Sequence, residues 1–150
     1  MRRRIAVLLG VAVAAAGIVA AVAPAKPAMG PMKFSATLSI KQEVPTEHGA
    51  PSDAGGTFTA VLKGKTLQWK LTFQHLSGAA TAAHVHLGAI GHSGPVLIAL
   101  CAAGCRSPVT GATIVAASVA KTLESGGTYV NVHTAKNPGG EIRGQLRSSM

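Results

Sequence analysis

Three histidines carry the densest chemistry in this sequence. His84-Val85-His86 sets two imidazoles two residues apart, and His133 closes the segment Tyr129-Val130-Asn131-Val132-His133. On a strand, alternate residues share a face, so His84 and His86 point away from Val85 and Leu87. Their roots are then ~6.6–6.8 Å apart, a separation from which both rings can turn toward one ion. In the second segment Val130 and Val132 belong to the core side, which leaves Tyr129, Asn131 and His133 on the other. If the two strands are neighbours, His84, His86 and His133 converge. Imidazoles without thiolate suit Cu(II) or Zn(II). His92, in the loop Gly88–Pro95, is near enough in sequence to be a fourth ligand, whereas His48 and His75 read as ordinary loop or surface residues. The plain alternative is a set of sheet histidines that hydrogen-bond to neighbouring Thr, Asn or backbone groups.

Little else in the chain points to catalysis. Glu43, Glu47, Asp53, Glu124 and Glu141 are all its acids, and none forms a spaced pair suited to general acid–base work. No nucleophile-elbow pattern surrounds a serine. Glu141 and Arg143 share a strand face on which they can pair, and Asn131 is expected to satisfy a loop backbone group. The two cysteines, Cys101 and Cys105, are four residues apart around Gly104. That spacing reads as a disulfide staple in an oxidising compartment, with a metal or redox role as the alternative.

The elements that must position these groups are strands. Phe34, Ala36, Leu38 and Ile40 alternate with polar residues, the period-2 pattern of a half-buried strand. Phe58, Ala60 and Leu62 repeat it, as do Leu67, Trp69, Leu71 and Phe73. Lys63-Gly64-Lys65 joins those two as a hairpin, with Gly64 supplying a positive φ. Further strands are expected near 81–87, 95–100, 112–119, 128–134 and 140–147, with a short helical turn around Lys121–Ser125. Seven or eight short antiparallel strands at this spacing imply an all-β fold, a Greek-key sandwich or barrel.

The N-terminus directs the chain out of the cytoplasm. Arg2, Arg3 and Arg4 precede an uncharged stretch from Ile5 to Ala23, with small residues at Ala21, Ala23 and Ala25. This is the pattern of a signal peptide over residues 1–25, cleaved after Ala25. An uncleaved anchor is the competing reading, and it offers the sole route to a membrane. Residues 26–32 form a Pro- and Gly-containing linker, and 33–148 the domain. Beyond Lys26 the chain keeps ten Lys and Arg against five acids, scattered along the sequence, with few aromatics. That composition lacks the basic cluster and stacking rings of a nucleic-acid binder.

From Phe34 onward the landmarks resemble the CHRD family. They are Phe34-Ser35-Ala36 and Gln42-Glu43-Val44-Pro45, then Ala83-His84-Val85-His86 with Gly94-Pro95-Val96. Tyr129 to Thr134 and Pro138 to Leu146 complete the set. The resemblance implies an extracellular all-β domain without an agreed general activity. A fainter likeness to copper–zinc superoxide dismutases lies in the order of His84, His86, His133 and Arg143. It implies copper ligation by the three histidines and an anion-guiding role for Arg143, although the bridging histidine and the zinc loop are missing. Two functions therefore stand. One is a non-enzymatic secreted or periplasmic module for a protein or cell-surface partner. The other is a Cu(II)-binding protein with weak redox or superoxide chemistry.

Overall fold

A computed structural model describes residues 30–45 and 49–149. The expected signal segment, most of the linker and His48 lie outside the described residues. Nine strands follow in order: β1 (Met32–Ser39), β2 (Gly55–Lys63), β3 (Thr66–Gln74), β4 (Ala80–Leu87), β5 (Val96–Cys101), β6 (Val109–Ile114), β7 (Thr128–Thr134), β8 (Ile142–Gln145) and β9 (Arg147–Ser149). One helix, α1 (Ala117–Glu124), links β6 to β7, and a helical turn over Ile40–Gln42 follows β1.

All pairings between these strands are antiparallel, in the order β5-β4-β7-β8-β1-β2-β3-β6, with β9 also on β1. The sheet curls until β5 and β6 approach each other, but these two end strands do not pair. The result is a nearly closed barrel flattened into two halves. β3 meets β6 across the β4–β5 excursion, and β4 meets β7 across β5 and β6. Such returns to a non-consecutive neighbour are Greek-key connections.

Period-2 alternation holds along β1 and β2, whose Phe34, Leu38, Phe58 and Leu62 are buried between exposed Lys, Ser and Thr. The same inward side continues through Leu67, Leu71, Val85, Val130, Val132 and Ile142. Each such side chain stabilises the fold by about 1.5–3 kcal/mol relative to exposure. The β2–β3 hairpin pairs Lys63 with Thr66, and Gly64 takes φ +61° as expected. Cys101 and Cys105 form the disulfide, with Cα atoms 5.9 Å apart. The Cys105 N–H donates to the Ala80 carbonyl at 3.2 Å, which fastens the stapled loop to the start of β4.

Two regions differ from expectation. The strand expected over 112–119 lies at Val109–Ile114, and the helical turn expected at 121–125 is the eight-residue helix α1. Ala117, Ala120, Lys121 and Leu123 favour helix intrinsically. Val119 and Leu123, four residues apart, turn one face to the barrel, where Leu123 is buried. The second difference is at the C-terminus, where the expected strand 140–147 starts only at Ile142 and divides into β8 and β9 around the buried Leu146.

β8 and β1 come together at Gly144, where an added Cβ would lie 2.5 Å from the Thr37 carbonyl oxygen and 3.2 Å from the Ala36 Cβ. The nearer obstacle is backbone and cannot rotate away. Gly144→Ala is therefore expected to destabilise the fold by about 1–3 kcal/mol. Chemical denaturation would show this as a lower midpoint with an unchanged slope, and an unchanged midpoint would contradict the close approach.

Candidate metal centre

The site occupies the outer side of β4, β7 and β8. Register sets His84 opposite Asn131 and Asn131 opposite Arg143, while His86 faces Tyr129 and Tyr129 faces Gln145. The valines of β4 and β7 take the core side, so these polar residues share the other face. Every residue of β7 is nevertheless buried, because loops cover this outer face.

His84, His86 and His133 converge there. Each offers a ring nitrogen, and the three nitrogens lie within 4.8 Å of one another. The His133 Nδ1–H donates to the Pro138 carbonyl at 3.0 Å, and the His86 Nδ1–H donates to the Gly94 carbonyl at 2.9 Å. A carbonyl oxygen only accepts, so both rings carry their proton on Nδ1 and keep the Nε2 lone pair available. The His86 Nε2 is buried and has no partner. His133 Nε2 lies 3.1 Å from His84 Nδ1, whose N–H donates to it. Backbone carbonyls that fix a ring's tautomer are the usual outer support of metal-binding histidines.

Burial lowers the pKa of all three imidazoles, most simply because a charged ring loses its water. At His84 the neighbouring His86 adds to the lowering. At His86 and His133 the bonds to Gly94 and Pro138 oppose burial, and nearby charge reinforces it. The rings are thus held neutral, the form in which imidazole ligates a metal. Three such nitrogens without thiolate match Cu(II) or Zn(II).

His92, expected as a fourth ligand, is exposed and is not part of the three-nitrogen cluster. It contributes its backbone instead. Arg143 Nη2 donates to the Ala89 and His92 carbonyls, both at 2.9 Å, and so pins the 88–95 loop. The guanidinium carbon sits 3.5 Å from the Tyr129 ring centre, and Tyr129 stacks on His86 with centroids 4.9 Å apart. Arg143, read from sequence as an anion guide, is buried, and its Nη1 has no partner. Burial lowers its pKa, against the opposing influence of Tyr129 and Glu43.

Two polar groups have partners that the sequence did not suggest. Asn131 meets a side chain rather than a loop backbone: its Nδ2 donates to both Glu43 carboxylate oxygens, at 3.0 and 3.2 Å. Glu141 makes no ion pair with Arg143 among the described residues. Its buried carboxylate accepts from the Ser77 N–H and hydroxyl, from Thr134 Oγ1 at 2.6 Å and from Asn137 Nδ2 at 2.8 Å. These bonds shape the 134–140 turn that presents the Pro138 carbonyl to His133. Ser77 is 64 residues from Glu141 in sequence, so no local motif announces the contact. His75 pairs with Asp53 at the surface at 2.8 Å, away from the centre.

Burial alone would raise the Glu141 pKa, but the bonds from Ser77, Thr134 and Asn137 outweigh it and hold the group below the ordinary glutamate value of 4.5. A carboxylate with a lowered folded pKa stabilises the fold above its unfolded value, and that share is lost as pH falls through the folded value. Glu141→Gln is expected to destabilise the protein by about 2–4 kcal/mol at neutral pH, since hydrogen bonds to a charged group are each worth about 1.5–3 kcal/mol. The deficit should shrink on acidification below pH 4.5. Denaturation of both proteins across that range would measure it, and a pH-independent gap would contradict an ionised Glu141.

Comparison with known families matches residues 34–146 to the CHRD domain. No curated protein and no solved structure matches the chain. The family match spans the barrel from Phe34 in β1 to Leu146 at the β8–β9 junction and includes all three converging histidines. The chain belongs to the CHRD domain family.

Proposed function

We propose that this chain is a non-enzymatic, extracytoplasmic binding module whose built centre is a three-histidine site for a divalent metal, Cu(II) foremost. One observation carries the reading: a buried His86 Nε2 without a partner faces two further imidazole nitrogens inside a 4.8 Å cluster. An unpaired buried acceptor costs about 1–3 kcal/mol unless something meets it. A metal ion would meet it, together with His84 and His133. Among divalent first-row metals Cu(II) binds nitrogen sites most tightly, which sets the order of preference.

Export accords with the Cys101–Cys105 disulfide, since such bonds persist in oxidising compartments. Among the described residues no helix is long and apolar enough to cross a membrane. A signal peptide over residues 1–25, cleaved after Ala25, completes this proposal. When bound, copper would supply a Lewis-acidic, redox-capable centre. The chain's own residues supply neutral ligands, a tautomer fixed by Gly94 and Pro138, and a roof of loops.

The test is calorimetric titration of the mature protein, made without a histidine tag and stripped with chelator, against Cu(II) and Zn(II). Electron spin resonance would follow the copper form. One equivalent of Cu(II) with nitrogen ligation is expected. His86→Ala and His133→Ala should each weaken binding by at least about 100-fold, beyond the 10–100-fold typical of supporting residues. His92→Ala should leave both stoichiometry and spectrum unchanged. Binding no tighter than that of a histidine-poor control would defeat the proposal.

A further inference from the structure

The half of the barrel formed by β1, β2, β3, β6 and β9 has a separate chemical character. Strands β1, β2, β3, β6 and β9 contain no Asp or Glu, and their four cations are Lys33, Lys63, Lys70 and Arg147. All four are exposed on the outer face, opposite the buried Phe34, Leu62 and Leu71. Register sets Arg147 beside Ser35, Ser35 beside Thr59, Thr59 beside Lys70 and Lys70 beside Thr110. This is one continuous row across five strands. With neighbouring strands ~4.7–4.9 Å apart, Arg147 and Lys70 stand ~14 Å from each other, and Lys33 lies ~7 Å along β1 from Ser35.

Between the cations the floor is hydroxyl. Ser35, Thr37, Thr57 and Thr59 point outward, and Thr57 Oγ1 lies 2.7 Å from Thr72 Oγ1. The row runs into a cleft of about 660 Å³ bordered by Lys41–Val44 and by Ile90–Gly91. Arg143 and Gln145 line the same cleft, and both carry a buried polar atom without a partner, Nη1 and Oε1 respectively. Glu43 also lines it, with its carboxylate bonded by Asn131. Cations spaced over many ångströms, with hydroxyls between them and no acid on the strands, complement an extended ligand that alternates negative charge with hydrogen-bonding groups.

We infer that this face and its cleft bind an acidic polysaccharide. Its carboxylates or sulfates meet Lys33, Lys70 and Arg147, and its hydroxyls meet the Ser and Thr floor. The strands carry no outward aromatic ring on this side, so the stacking platform that single-stranded nucleic acid needs is missing. Protein interface cores are depleted in Lys, which sets a protein partner aside. The surface belongs to the same molecule as the metal centre but shares none of its ligands.

The test uses the mature protein with an oligogalacturonate and its fully methyl-esterified, uncharged counterpart. Binding of the acid form is expected, and it should weaken steeply between about 50 mM and about 300 mM salt, as for any screened charge pairing. Lys33→Gln with Lys70→Gln should reduce affinity at least about tenfold. Arg106→Gln with Lys121→Gln removes the same charge from exposed positions off this face and should leave affinity within about twofold. Exposed substitutions of this kind leave stability nearly unchanged, so folding is not the variable. Equal binding of the esterified chain, equal losses in the two double variants, or equally tight binding of single-stranded DNA would each overturn the inference.

Discussion

Everything at the three-histidine cluster depends on a single constraint: β7 is buried on both faces. One face is the valine core. The other, carrying Tyr129, Asn131 and His133, is roofed by loops rather than by a second sheet. A polar residue under such a roof must find a partner within the protein. Asn131 finds Glu43, Tyr129 finds the Gly94 N–H and the Arg143 guanidinium, and His133 finds Pro138. Of the three rings, only that of His86 has a buried nitrogen, Nε2, left with none. The histidine cluster is therefore the part of this buried polar layer where imidazole nitrogens converge around an unpartnered one.

The sequence made the strand framework and the convergence legible for the same reason. Period 2 is a local rule, and His84, His86, Val130 and Val132 obey it whatever surrounds them. The pairing of β4 with β7 then brings His133 to the other two rings. The helix α1 was less legible, because eight residues with Ser, Val and Thr among the helix formers read equally well as strand and turn. The roof was not legible at all. Ser77 with Glu141 and Glu43 with Asn131 are contacts between distant segments, fixed only when the barrel closes.

Charge shows the same limit in another form. Along the chain the basic residues look evenly dispersed, and dispersion argues against a binding surface. Sheet register re-sorts them. Lys33, Lys63, Lys70 and Arg147 all occupy outward-facing positions of paired strands and so gather on one side of the barrel. A cluster in space needs no cluster in sequence when the intervening residues alternate inward.

The unpaired seam between β5 and β6 gives the barrel the architecture of a book. Among the described residues the strands of its two covers pair along one spine, where β1 meets β8. The histidines lie on one cover and the cationic face on the other. The segment from Ile142 to Ser149 runs through the spine, with Arg143 under the loop roof at one end and Arg147 among the hydroxyls at the other. A stretch of eight residues thus borders both surfaces and carries the chain from one cover to the other.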